Sequence, residues 1–187
     1  MSDTRRTFLF KSAQLSALPI FSVVSSMSGC STPDSERKGE ILRSNDGEVW
    51  YIGNTRKAKV TIKISKTQNP SCQFSLLNEI IPPGDFIPVH KHHSEDEFIF
   101  IERGMANVLV GEDEEILKPG NIAFIPKQTW HGLKNEGNDY VHMFFGYSPA
   151  GFEDYFRKIG VRKTTETPNL SASDFDSINK KYGVSYR

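Results

Sequence analysis

The sequence predicts an all-β domain, an antiparallel barrel or sandwich, followed by two short helices. From Glu48 onward the apolar residues fall in short runs, at 49–52, 60–64, 74–81, 98–101, 108–110, 122–125 and 140–147, with Gly, Pro and Asn between them. Strand-length runs at such regular spacing argue for antiparallel neighbours and against alternating βα units. After Pro149 the period changes. Phe152, Tyr155, Phe156 and Ile159 recur at helical spacing up to Gly160, and 173–182 reads as a second helix ended by Gly183.

The composition agrees with a compact domain. Over 187 residues, 37% are hydrophobic, 11% aromatic and 25% charged, with 23 basic against 23 acidic residues. That balance suits one globular domain and not a disordered chain, whose low hydrophobicity and high net charge leave too little surface to bury. No stretch approaches the roughly 20 consecutive apolar residues of a spanning helix, and basic residues do not dominate, which argues against a polytopic membrane protein and against nucleic acid as a partner.

The first thirty residues have the layout of an export signal. Arg5, Arg6 and Lys11 precede a mildly apolar run at 9–24, which ends in small residues before Cys30. The string Thr4-Arg5-Arg6-Thr7-Phe8-Leu9-Phe10-Lys11 resembles the twin-arginine signal. Met27-Ser28-Gly29-Cys30 resembles a bacterial lipobox, whose cysteine is lipidated and becomes the new N-terminus. Met27 stands where leucine is usual, so ordinary cleavage before Cys30 and an unprocessed thiol stay open as alternatives. The polar, turn-forming residues after Cys30 suit a tether, and Ser31 would by the same resemblance favour the outer membrane. Export removes Asp3, Arg5, Arg6 and Lys11, leaving 20 basic and 22 acidic residues, a net charge of −2. If Cys30 is lipidated, Cys72 is the only remaining thiol, with no internal disulfide to staple the fold.

Chemistry concentrates at four residues. His90 and His92 are two apart, so on a strand both project from one face while Lys91 projects from the other. Glu97 follows a polar bend and opens the next apolar strand, and His131 comes from a distant one. Neutral imidazoles with one carboxylate suit Fe, Mn, Co, Ni, Cu or Zn better than the all-oxygen ions Mg or Ca. His93 lies outside this pattern and His142 sits inside an apolar run, so both read as structural. Trp130, next to His131, should point away from the metal.

The spacing around these residues carries a family resemblance. Gly84, five residues, His90, one residue, His92, four residues, Glu97, six residues and Gly104 resemble the first motif of the cupin superfamily. Gly120, five residues, Pro126, four residues, His131, three residues and Asn135 resemble the second, after a fifteen-residue interval. One position departs: Gln128 stands where the second motif has glycine. A non-glycine residue in a left-handed conformation costs about 1 kcal/mol, which a barrel can absorb. Segments 149–156 and 181–184 also resemble the C-terminal helices of small single-domain cupins related to quercetin 2,3-dioxygenase, giving coverage of about 45–184.

The resemblance implies a double-stranded β-helix, or jelly-roll barrel, with one divalent transition metal per chain bound by His90, His92, Glu97 and His131. The organisation expected is an export signal at 1–29, a polar tether at 30–44, the barrel at 45–148 and a helical extension at 149–187. Four ligands leave about two positions open on an octahedral ion, so the site expects a small-molecule partner. By resemblance the activity is a quercetinase-like dioxygenation of a phenolic or enolic compound, with dioxygen as second substrate and Glu97 as catalytic base. Phe86, Ile99 and Ile101 are candidate walls for that substrate. A non-catalytic ligand-binding or sensing lipoprotein and a cupin isomerase or lyase are the alternatives, because fold does not decide chemistry. The expected location is the periplasm, membrane-anchored through Cys30, with a homodimer left open.

Overall fold

The computed structural model describes residues 39–52 and 58–187. Ile41–Arg187 forms one compact unit. Arg5, Arg6 and Cys30 lie outside the described residues.

Among the described residues the elements run β1 (Glu48–Ile52), β2 (Ala58–Ile64), β3 (Leu76–Ile81), β4 (Phe86–His92), β5 (Asp96–Arg103), β6 (Ala106–Val110), β7 (Asp113–Leu117), β8 (Ile122–Ile125), β9 (His131–Lys134), β10 (Val141–Ser148), α1 (Glu153–Ile159), β11 (Gly160–Val161), α2 (Ala172–Tyr182) and β12 (Val184–Tyr186). They build two antiparallel sheets. The larger has the order β11-β1-β2-β3-β10-β5-β8 and the smaller β12-β4-β9-β6-β7. The all-β class and the two C-terminal helices are as the sequence predicts.

Period-two patterning makes these strands. In β10, Val141, Met143, Phe145 and Tyr147 are buried while His142 and Phe144 are only partly so, and in β3 Leu77, Glu79 and Ile81 are the buried set. Those inward rows meet Ile99 and Ile101 of β5 and Leu133 of β9 in one core. β7 has no apolar run to reveal it: Asp-Glu-Glu-Ile-Leu is largely exposed and is specified by pairing with β6 along five residues. A charged edge strand of this kind discourages pairing with other chains.

The C-terminal extension is more than helical. Gly160 ends α1 in an extended conformation and continues as β11 against β1. α2 starts one residue before the position expected from periodicity, after a capping box in which Ser171 and Asp174 bond each other's backbone N–H. Gly183, at φ +62°, caps α2 in the left-handed conformation and turns the chain into β12 against β4. Two buried charges tie peripheral segments to the barrel. Lys63 donates to the carbonyls of Arg43, Ser44 and Asp46, and the carboxylate of Glu153 accepts from the backbone N–H of Lys66 and of Gly151, each at 2.7 Å.

Two glycines separate close approach from backbone strain. A Cβ on Gly146 would sit 2.2 Å from the Ser75 carbonyl oxygen and 2.7 Å from the Phe98 ring, whereas one on Gly84, at φ +76°, would meet nothing within 4 Å. Gly146→Ala should therefore destabilise by ~3 kcal/mol or more. Gly84→Ala should cost only ~1 kcal/mol, the left-handed strain alone. Denaturant melts of the two variants check this, and equal losses would contradict it.

Candidate metal centre

His90 and His92 come from β4, His131 from the neighbouring β9, and Glu97 from β5 in the facing sheet. In the β4–β9 ladder His90 lies directly opposite His131. All four residues are buried, and one ligand atom from each lies within 4.8 Å of the others. The set expected from the motifs is thus brought together in full. His93 is exposed and bonds Ser185 Oγ at 2.9 Å, and His142 lies across from Ile80 and Arg103, so neither joins the cluster. Trp130 lies away from the cluster, with Lys91 Nζ 4.9 Å and the Arg187 guanidinium 4.5 Å from its ring.

Two local features aim the ligands. The first is a register shift between Ile87 and His90, where Pro88 has no N–H to give to a ladder. This shift reverses the inward parity upstream, so Ile87 and not Phe86 faces the cavity beside His90. Phe86, expected as a wall, is 51% exposed on the outer side. Ile99 and Ile101 do point inward, but they are core residues away from the cavity lining.

The second feature is a staple between the two motif turns. Gln128 has φ +68°, the left-handed position that the motif assigns to glycine. Its backbone N–H donates to the His92 carbonyl at 2.7 Å and its side-chain amide to the His93 carbonyl at 3.0 Å, while Lys127 N–H donates to Asp96 Oδ1 at 2.9 Å. The bend between His92 and Glu97 is thereby fixed to the turn that leads into His131.

The electrostatics suit a cation. His90 Nδ1 lies 2.8 Å from the Pro88 carbonyl, so Nδ1 carries the proton and Nε2 offers a lone pair. Burial, with His131 and His92 nearby, lowers its pKa to about 3, so the ring is neutral at pH 7. His131 bonds the Thr129 carbonyl through Nδ1 and Glu97 Oε2 through Nε2, each at 3.0 Å. Burial would lower its pKa, but the Glu97 carboxylate outweighs burial and raises it. Burial would likewise raise the Glu97 carboxyl, but the His131 and His92 rings hold it well below the usual carboxylate range. His92 Nε2 is 3.0 Å from the same oxygen without hydrogen-bond alignment, and both its ring nitrogens are buried without a hydrogen bond. A buried, unbonded imidazole nitrogen beside two further imidazoles and a carboxylate is what a transition-metal ion would satisfy.

A cavity of about 50 Å³ opens on the cluster at His90 and Glu97. Sequence reasoning missed its aromatic wall, formed by Phe145, Tyr147, Phe152, Tyr155, Phe156 and Tyr186. Tyr147 pairs with Glu97 in the β5–β10 ladder, and its alternation with Phe145 and Met143 was a readable signal. Tyr186 stacks on His90 with ring centroids 5.5 Å apart and planes at 26°. Only the short alternation of Val184-Ser185-Tyr186 after Gly183 hinted at that strand. Burial pushes the Tyr147 and Tyr155 phenols well above their ordinary range, so both stay protonated.

Comparison with known proteins agrees with this geometry. The cupin domain family model matches residues 78–147, which span β3 to β10 and contain all four clustered residues. An uncharacterised protein of Acanthamoeba polyphaga mimivirus is 30% identical over 151 residues, covering 77% of this chain and 91% of that protein. The crystal structure of a predicted oxalate decarboxylase from Thermotoga maritima has a TM-score of 0.54 at 21% identity, covering 59% of this chain and 99% of that one. An RmlC-like cupin from Shewanella frigidimarina has a TM-score of 0.51 at 17% identity, covering 63% of this chain and 96% of the other. At these identities the two structures speak for the fold alone. Two antiparallel sheets with the motif histidines and glutamate gathered between them, inside the matched segment, mean that this chain belongs to the cupin superfamily.

Proposed function

We propose that the chain is a metal-dependent oxidoreductase of the dioxygenase type acting on a small phenolic or enolic compound. The observation that carries this reading is a buried cluster of three imidazoles and one carboxylate opening onto a cavity walled by aromatic rings. Apolar, flat walls favour a flat ligand. A divalent transition metal held by His90, His92, Glu97 and His131 would supply Lewis acidity to the ligand's oxygen and a path for electrons to dioxygen. The chain's own residues do the rest. Glu97, ionised at neutral pH, accepts the ligand's hydroxyl proton at a carboxylate oxygen. Tyr147 and Tyr155, kept protonated, do not compete as bases. Both atoms of dioxygen end in the product, so no outside reductant is needed.

The protein works, on this reading, outside the cytoplasm, anchored through Cys30. Support comes from Arg5 and Arg6, the small residues before Cys30 and the polar residues after it. The twin-arginine route carries folded proteins, so a metal can be acquired before export exposes the site to copper and zinc, which bind such donors strongly. Replacing Arg5 and Arg6 by Lys should leave a full-length precursor inside the cell, and Cys30→Ala should release protein from the membrane fraction. Fractionation unchanged in both variants would contradict the anchor.

Metal analysis of protein purified without an affinity tag should give one transition-metal ion per chain. His131→Ala and His90→Ala, forty-one positions apart in sequence, should lose it alike, and His93→Ala should keep it. Binding should also depend on pH in a defined direction. His131 must give up the Nε2 proton it shares with Glu97, and its pKa is raised, so affinity should fall about tenfold per pH unit below that raised pKa. It should be flat above it. His90 is neutral down to about 3 and adds nothing to this dependence. A metal titration across pH that shows no weakening on the acid side would sink the assignment.

Metal-loaded protein should consume oxygen when given a flavonol, a catechol or an enolic ketone. Glu97→Gln should lower turnover by about a hundredfold or more, because an amide cannot take the proton. If loaded protein takes up no oxygen with any of the three, the reading passes to a tethered ligand-binding cupin.

A further inference from the structure

The cavity over the cluster is small for the ligand class just proposed. At about 50 Å³ it is well under the roughly 150 Å³ of an engineered core cavity that holds benzene. The missing room is taken by the protein itself. The Tyr186 ring lies nearly parallel to that of His90, and its hydroxyl is 3.0 Å from the Tyr155 hydroxyl. The Tyr155 hydroxyl in turn donates to Asn179 Oδ1 of α2 at 2.9 Å. At 37% exposure Tyr186 has one side in water and the other in the cavity, which places it at the mouth.

We propose that Tyr186 is the residue that sets size and access at this site: its phenol ring fills the place over His90 where a flat ligand's ring would lie. The proposal rests on the reading of the cluster as a metal site that takes a flat ligand. The strap formed by 183–187 draws back from β4 to admit that ligand. An incoming phenol replaces a ring of its own size and chemistry, so exchange needs no new cavity in the core.

The strap is built for local release. β12 has three residues and pairs on one side only, with Val184 opposite His92 and Tyr186 opposite His90. Contacts outside the cavity also hold it. Arg187 N–H donates to the Val89 carbonyl at 3.0 Å, the Arg187 guanidinium lies over Trp130, and the hydroxyl of Ser185 meets His93 Nε2. Short, partly exposed edge elements of this kind open at a small fraction of the global unfolding free energy.

The test uses the full chain loaded with cobalt(II), whose visible bands report ligands entering the metal's coordination sphere. The probes are azide, which has three atoms, and catechol, which has one ring. Wild type should bind azide readily and catechol weakly. Tyr186→Ala should tighten catechol at least about tenfold and leave azide within about twofold, whereas Tyr186→Phe, which keeps the ring, should match wild type with both. Arg187→Ala, which loosens the strap without touching the cavity, should speed catechol binding, and it decides the matter if Tyr186→Ala fails to hold cobalt. Catechol binding alike in wild type, Tyr186→Ala and Arg187→Ala, with azide bound by all, would overturn the role of Tyr186 while leaving the metal site standing. Cobalt absent from wild type would instead overturn the metal reading, and this proposal with it.

Discussion

A carboxylate can be buried as deeply as that of Glu97 only if something replaces its lost hydration, because an isolated buried charge is costly enough to force neutralisation. Here His92 and His131 each place Nε2 3.0 Å from one carboxylate oxygen. The net effect is downward in pKa although burial is the largest single influence and acts upward. The imidazoles therefore outweigh desolvation, and the surrounding architecture exists to keep them there. β4 and β9 bring the histidines from one sheet, β5 brings the glutamate from the other, and the staple through Gln128 and Lys127 fixes the bend between them.

The three imidazoles are not held in the same way. His90 and His131 each bond through Nδ1 to the carbonyl two residues before them, so the backbone sets their ring orientation. His92 has no such bond. Its ring stands edge-on to Phe152, at 4.3 Å between centroids, and to Tyr147, at 5.0 Å. Phe152 precedes α1, whose buried Tyr155 and Phe156 pack with it into the core. The extension after the barrel is consequently part of the site: α1 positions a ligand from one side, and β12 covers the mouth from the other.

What the sequence discloses and what it hides follow from the range of the interactions involved. His90, His92, Glu97 and His131 were legible because strand periodicity and turn spacing fix their directions over short stretches, and such local rules survive in any barrel of this kind. The class of the fold was legible for the same reason. Phe86 misled because alternation was carried across Pro88, where the register shifts, and a bulge changes parity without changing composition. β7 was hidden because its pairing with β6, not its own apolar content, makes it a strand. β11 and β12 were hidden because two or three residues carry too little alternation to specify a strand. Their positions depend on contacts with β1 and β4, more than ninety residues earlier in the chain.

Gln128 shows where such a motif tolerates change. Glycine at this position would contribute only its freedom to adopt a positive φ, worth about 1 kcal/mol over other residues. Glutamine forgoes that but adds a side-chain hydrogen bond to the His93 carbonyl, a contact of about 0.5–1.5 kcal/mol that glycine cannot make. The backbone bond from residue 128 to the His92 carbonyl is available to either. The two effects are of similar size and opposite sign, so the turn keeps its geometry with a different residue. No comparable exchange exists at the four clustered positions. Replacing the Glu97 carboxylate or the His131 ring would leave its buried partner unpaired, and nothing local could make up the difference.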